Sequence, residues 1–133
     1  MARILVVDDE PVIRTVLRRL LEPYGHEVIL GEDGLRGVGM AQHQRPDAIV
    51  MDLMMPMVDG HAALQMLAES ERTRAIPVIV LTAVALTAEH ARCIAEGAYG
   101  VLTKPFDPEV LSAMIGRAIA ERNPLADAPS ATP

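Results

Sequence analysis

Short runs of aliphatic residues alternate along the chain with longer segments in which apolar residues recur every three or four positions. The aliphatic runs span residues 4–7, 28–30, 48–51, 77–81 and 101–102. Runs of this kind, without polar alternation, are typical of strands buried on both faces of a parallel sheet, whereas the longer period is typical of amphipathic helices. The pattern predicts five strands, each followed by a helix.

Helix start and stop signals agree with this scheme. Pro11 lies in the first turn of the first predicted helix, Thr87 is a candidate N-cap of the fourth, and Gly97 follows the end of that helix. The second helix, over 35–44, is the weakest because Gly37 and Gly39 lie inside it. Two apolar stripes are predicted to be buried: Val12, Ile13, Val16, Leu17, Leu20 and Leu21 in the first helix, and Val110, Leu111, Met114, Ile115, Ala118 and Ile119 in the last.

Alternating strands and helices predict an α/β fold, in which helices cover both faces of a parallel sheet. We expect one domain over residues 1–122. Residues 123–133 are rich in Ala and Pro without a helical stripe, which predicts a flexible tail or the stump of a linker.

Polar side chains lie where the predicted strands end. Asp8 and Asp9 follow the first strand, Asp52 ends the third, Thr82 the fourth and Lys104 the fifth. Function collects at the carboxyl ends of the strands in such sheets, so these five residues are expected to share one pocket.

The chemistry of that pocket follows from its donors. Neighbouring carboxylates repel one another unless a cation compensates them, and oxygen donors without His or Cys suit Mg²⁺ rather than Zn²⁺, with Mn²⁺ as an alternative. Asp52 could attack phosphorus as a nucleophile. Lys104 and the Thr82 hydroxyl would then stabilise the phosphoryl oxygens.

Four motifs in order carry a resemblance to a known family. They are VDDE at 7–10, MDLMMPMVDG at 51–60, VLTA at 80–83 and LTKPF at 102–106. Together they resemble the receiver domains of two-component response regulators, over residues 3 to about 122. The resemblance implies a flavodoxin-like doubly wound (βα)5 three-layer sandwich, with a five-stranded parallel sheet of order 2-1-3-4-5.

The resemblance also implies a metal site and a phosphoacceptor. Asp52 would accept the phosphoryl group. Asp9, Asp52 and the backbone carbonyl of Met54 would bind Mg²⁺ directly, and Asp8 would act through water. Lys104 would contact the phosphoryl group, next to a Lys104–Pro105 peptide that is cis in family members.

The switch that the resemblance implies is incomplete in this sequence. Thr82 would move toward the phosphoryl group, and an aromatic residue three positions before the lysine would follow it. That position holds Val101. Tyr99 would share the strand face of Val101 if the strand extends that far, and it is the candidate to substitute for the missing ring.

The partners implied by the resemblance are a histidine kinase or a His-containing phosphotransfer protein as donor. The readout surface, which could also form a homodimer, would be the fourth helix, fifth strand and fifth helix. A formal net charge of −6 without a basic stripe predicts no direct nucleic-acid binding. A single cysteine, Cys93, and the lack of an apolar run of about 20 residues predict a cytoplasmic chain without membrane association.

Two other classes remain open from the residues. A haloacid-dehalogenase-type phosphatase also uses Mg²⁺ and an aspartyl nucleophile, but it requires Asp-x-Asp on the first strand, where this chain has Asp8 and Glu10. A pseudo-receiver would act by binding alone, but would usually lack one of the acids or the lysine. Surface positions are predicted for the four histidines, His26, His43, His61 and His90, and Cys93 is predicted to be a small buried apolar residue.

Overall fold

The computed structural model describes residues 2–53, 59–83 and 86–121. Within them, five strands alternate with five α-helices, and a 3₁₀ turn at Glu22–Tyr24 follows the first helix. The strands are β1 (Arg3–Val7), β2 (Glu27–Gly31), β3 (Ala48–Asp52), β4 (Val78–Thr82) and β5 (Gly100–Thr103). The helices are α1 (Pro11–Leu21), α2 (Gly34–Gln44), α3 (Gly60–Glu69), α4 (Thr87–Ala95) and α5 (Pro108–Glu121).

All neighbouring strands are parallel and form one sheet of order β2-β1-β3-β4-β5. This confirms the predicted flavodoxin-like (βα)5 fold. The central strand, β3, is buried along all five residues, which explains why its sequence shows no polar alternation. The carboxyl ends of β1, β3, β4 and β5 lie side by side.

The core consists of two clusters, one on each face of the sheet. On one face, side chains such as Leu64 and Cys93 join the sheet to α2, α3 and α4. On the other face, Leu17 and Ile115 join it to α1 and α5. The structure is therefore the expected three-layer sandwich, and Cys93 is buried as predicted.

Gly37, one of the two glycines that made α2 the weakest predicted helix, has a packing function. A Cβ atom at this position would lie 2.7 Å from Cγ2 of Val7 in β1. Because real Cβ contacts are not that short, only glycine lets α2 approach β1 at this distance. Gly37 thus lowers the helix propensity of α2 but allows close packing of α2 against the sheet.

The predicted burial of the apolar stripes of α1 and α5 is wrong in part. Leu17 and Leu21 are buried, but Val12 is 70% exposed, and Val16 and Val110 are exposed to nearly half. Each stripe is wider than the strip of helix that contacts the sheet, so one flank faces solvent. On α1 this flank lies beside the carboxyl ends of the strands.

Among the helices of the described residues, none combines the length and hydropathy that a membrane span requires.

Candidate functional site

The sheet brings together most of the predicted site residues. In the strand register, Asp52 is opposite Leu81, so Thr82 lies one position beyond it on the neighbouring strand. The backbone N–H of Lys104 donates to the carbonyl of Thr82 at 2.7 Å, which fixes the residue after β5 against the end of β4. Parallel pairing alone therefore places these side chains at one edge of the sheet.

Asp52 lies beside the ammonium group of Lys104 and close to the surface. Its Oδ2 atom lies 3.6 Å from Nζ of Lys104, whose side chain is 30% exposed. Asp52 itself is 8% exposed. A carboxylate on a rigid central strand, reachable from solvent and facing an ammonium group, is suited to attack an anionic phosphorus centre that the lysine helps to neutralise.

Asp8 is the most deeply buried acid of the site, at 1% exposed. Burial raises its pKa from the ordinary 3.8 to about 6. A hydrogen bond from the backbone N–H of Glu10 to Oδ1, at 2.8 Å, opposes this rise. The charge of Asp52 adds to the rise, Lys104 opposes it, and Asp9 adds a smaller contribution. The acids of the pocket therefore repel one another more than the lysine compensates.

The acidic group fits a hard divalent cation. Carboxylate oxygens of Asp8, Asp9 and Glu10 lie within 4.8 Å of one another. The donors are all oxygens, as Mg²⁺ prefers. The raised pKa of Asp8 reflects its burial first and the neighbouring acids second, and a bound dication would offset both. Met54, whose backbone carbonyl was expected to be a further ligand, lies outside the described residues.

Two features frame the site. The peptide between Lys104 and Pro105 is cis, as the resemblance implied. Nη1 of Arg14 donates to the backbone carbonyl of Asp8 at 2.7 Å and ties α1 to the end of β1. Sequence reasoning missed Arg14, because its spacing from Asp8 matches no motif.

The structure contradicts the suggested substitution of Tyr99 for the missing aromatic ring. Strand β5 begins at Gly100, so Tyr99 precedes it. Val101 packs against the cluster beneath α3 and α4, whereas Tyr99 packs against the cluster beneath α1 and α5. Its hydroxyl donates to a carboxylate oxygen of Glu121 at 3.0 Å. The two side chains thus lie on opposite sides of the sheet.

The predicted surface position of His61 is also wrong. Its side chain is 12% exposed and lies between α3 and α4, where Nδ1 contacts the Glu96 carboxylate and Nε2 contacts that of Glu89. The prediction failed because the partners lie 28 and 35 residues away along the chain, beyond the reach of a periodicity argument.

Comparison with known proteins identifies the family. The model of the response regulator receiver domain matches residues 4–116. Protein PilH of Pseudomonas aeruginosa is 39% identical over 90% of this chain and 99% of its own length. The dual master transcriptional regulator RpaA of Synechocystis is 41% identical over 92% of this chain and 50% of its own length. The chain thus spans about half the length of several regulators that it matches.

Solved structures similar to this chain point to the same family. The receiver domain of a sensor histidine kinase of Pseudomonas aeruginosa, crystallised with magnesium in its active-site cleft, has a TM-score of 0.83 and 38% identity, covering 90% of this chain and 98% of its own. Chemotaxis response regulator CheY4 of Vibrio cholerae has a TM-score of 0.82 and 32% identity, over 89% of this chain and 98% of its own. This chain belongs to the receiver-domain family of two-component response regulators, a family of signalling domains rather than classical enzymes.

Proposed function

We propose that Asp52 is the phosphoacceptor of this receiver domain. The observation that carries the proposal is the position of Asp52 at the end of the central strand, 8% exposed, with Oδ2 3.6 Å from the ammonium of Lys104. Asp8 directly follows the flanking strand β1, and Thr82 ends the other flanking strand, β4. Family membership supports the same assignment, since receiver domains are phosphorylated on aspartate.

The donor is a phosphohistidine of a histidine kinase or phosphotransfer protein. A carboxylate oxygen of Asp52 forms a bond to phosphorus while the phosphorus–nitrogen bond breaks, and the electron pair returns to the imidazole. Lys104 compensates charge on the phosphoryl oxygens, and the Thr82 hydroxyl moves toward the phosphoryl group and donates a hydrogen bond to it. Phosphorylation then shifts an equilibrium between two conformations.

Asp8, Asp9 and Asp52, with the backbone carbonyl of Met54, are the residues that would hold Mg²⁺, with Mn²⁺ as an alternative. When bound, the ion supplies charge neutralisation at the phosphoryl group. The support is the carboxylate cluster that contains Asp8 and Asp9, the effect of the Asp52 charge on the raised pKa of Asp8, and the magnesium ion held by a related receiver domain.

An apolar hollow beside the acidic site suits the docking of the phosphoryl donor. It has a volume of about 280 Å³ and lies between α1 and the segment after β5. Its walls include Ile13, Val16, Leu20 and Phe106, together with Lys104. An apolar patch within reach of Asp52 is where a helix carrying a phosphohistidine could pack.

The remaining expectations form part of the same proposal. The readout face, and the face of a homodimer, is α4, β5 and α5, where Ile94 and Val110 are exposed. With Val101 in place of an aromatic ring, Thr82 carries the switch without a swinging ring. The receiver comprises residues 1–122, followed by a tail or linker over 123–133. The chain acts in the cytoplasm through protein contacts and does not itself bind nucleic acid.

Intact mass spectrometry after incubation with acetyl phosphate and Mg²⁺ tests the acceptor. We expect one phosphoryl adduct in the wild type and none in Asp52→Asn or in metal-free wild type. Asp59→Asn is the matched control, because Asp59 caps α3 through the N–H of Ala62 and an asparagine retains that hydrogen bond. No adduct from acetyl phosphate or a kinase donor would overturn the proposal in favour of a pseudo-receiver.

A further inference from the structure

A second group of potential metal ligands lies away from the strand ends, between two helices. His61 is the second residue of α3, and Glu89 and Cys93 lie one turn apart on α4. One ligand atom from each of the three lies within 4.8 Å of the others. The group therefore combines a nitrogen, an oxygen and a sulfur donor contributed by two facing helices.

The imidazole of His61 is held in one orientation. Its Nδ1 atom contacts a carboxylate oxygen of Glu96, and Nε2 is turned toward Glu89. Glu96 is itself fixed, since its other oxygen accepts a hydrogen bond from Nε2 of Gln65 at 2.9 Å and lies 3.3 Å from Nε of Arg92. Metal-binding histidines are usually oriented in this way, by a carboxylate on the nitrogen that does not bind the ion.

We propose that His61, Glu89 and Cys93 form a binding site for a divalent transition metal of the Zn²⁺ class. Nε2 of His61, a carboxylate oxygen of Glu89 and Sγ of Cys93 are the protein ligands, and a water completes a tetrahedron. Glu96 is a positioning residue that acts through the His61 ring.

The choice of metal follows from the donors. A thiolate and an imidazole favour borderline or soft ions over Mg²⁺, which takes oxygen ligands. Ligand atoms at about 2.0–2.3 Å from one tetrahedral ion lie roughly 3.3–3.7 Å apart, so small rotations of the three side chains close the site. The strand-end site, with oxygens alone, has the opposite preference.

Electrostatics favours a cation at this position. Burial raises the pKa of the Cys93 thiol, and the nearby carboxylates of Glu89 and Glu96 raise it further. A dication would compensate these negative charges and hold the sulfur as thiolate. Metal–nitrogen, metal–oxygen and metal–sulfur bonds form, while the thiol proton and the proton between Nε2 and Glu89 pass to solvent.

Co²⁺ titration of the full chain tests the site. Excess Mg²⁺ is present to occupy the acidic pocket, and the signal is thiolate-to-cobalt absorption in the near ultraviolet. Cys93 is the chain's only cysteine, so this absorption can arise only there. We expect it to saturate at one ion per chain, to be abolished by Zn²⁺, and to persist in Asp52→Asn.

Variants separate the ligands from their support. His61→Gln and Cys93→Ala should lose the absorption, and Glu96→Gln should weaken binding about 10–100-fold, as expected of a residue that orients a ligand. His43→Gln is the matched control, since His43 is exposed on α2, and should bind like the wild type. Thermal melting of each variant in chelator verifies that it is folded.

The absence of thiolate absorption in the wild type, or equal absorption in His61→Gln, would overturn the proposal. If no metal binds while His61→Gln lowers the melting temperature, the cluster is an ion-paired bridge between α3 and α4 and not a metal site. Because Asp52 takes no part, failure of this site leaves the phosphoacceptor assignment unaffected.

Discussion

Two carboxylates in different parts of the molecule respond to burial in opposite ways. Asp8, at the strand ends, is 1% exposed and has a pKa raised to about 6. The Glu96 side chain, between α3 and α4, is 12% exposed and has a lowered pKa. Burial opposes ionisation in both, but hydrogen bonds from His61 and Gln65, with the charges of His61 and Arg92, outweigh it at Glu96.

The difference lies in the partners that the protein supplies: the charge of Glu96 is compensated by neighbouring side chains, and that of Asp8 is not. Asp8 accepts one backbone hydrogen bond and lies among other acids, so a bound cation would stabilise its ionised form. Glu96 has its partners in place. A strongly shifted pKa is a frequent sign of a functional site, and at Asp8 it coincides with the edge of the sheet where the proposed phosphoacceptor lies.

The largest expected effect is at Asp8. The pKa of Asp8 is raised above the ordinary 3.8, so the folded state binds the Asp8 proton more tightly than the unfolded state does. The protonated carboxyl therefore stabilises the fold at low pH, and this stabilisation is lost as the pH rises to about 6. The corresponding loss in the free energy of unfolding is about 3 kcal/mol. Asp8→Asn should therefore stabilise the metal-free protein at pH 7 by up to about 3 kcal/mol, measured by urea denaturation in chelator.

The same variant should have little effect at pH 4, where Asp8 is largely protonated in the folded state. A stabilisation that is equal at pH 4 and pH 7 would contradict an electrostatic origin. Destabilisation at both would mean that the carboxylate makes a structural contact that asparagine cannot replace.

Mg²⁺ should give the next largest effect, because the proposed metal site exists only in the folded state. At a concentration one hundred times its Kd, the ion should raise the free energy of unfolding by about 2.7 kcal/mol. Calorimetric melting with and without Mg²⁺ measures this increase. In Asp8→Asn the increase should be smaller, and an equal increase would remove Asp8 from the metal site.

A smaller effect is expected from His61→Gln in chelator. Loss of the imidazole between two carboxylates leaves partly buried acceptors without their donor, at a cost of about 2 kcal/mol in the free energy of unfolding. A lowered pKa means that Glu96 contributes stability above its ordinary 4.5 and loses that contribution as the pH falls further. The effect of the substitution, measured by urea denaturation, should therefore decline below that pH, whereas His43→Gln should be neutral throughout.

The smallest effect is expected at Arg92. Its side chain is 57% exposed and pairs with Glu96 at 3.3 Å, one turn along α4. Exposed pairs of this kind contribute about 0.3–0.5 kcal/mol, so Arg92→Gln should change the free energy of unfolding by no more than that. A cost approaching that of His61→Gln would show that Arg92, rather than the imidazole, holds Glu96 ionised.

The sequence predicted what depends on local pattern or on motif spacing. The strands followed from their aliphatic runs, and the gathering of Asp8, Asp52 and Lys104 followed from parallel order alone. The errors concern tertiary contacts. Neither the opposite packing of Tyr99 and Val101 nor the partners of His61 can be inferred from periodicity, because each depends on how a helix lies against its neighbours.

The complete burial of β3 has a consequence for which parts of the molecule can move. Amide protons in a central strand, paired on both sides, exchange with solvent mainly through global unfolding. Asp52 ends that strand and pairs with Leu81 of β4, so the backbone that leads into it is well protected. Deuterium uptake after phosphorylation should change in the surrounding segments while β3 stays protected. The proposed phosphoacceptor would then be the fixed reference against which the rest of the domain rearranges.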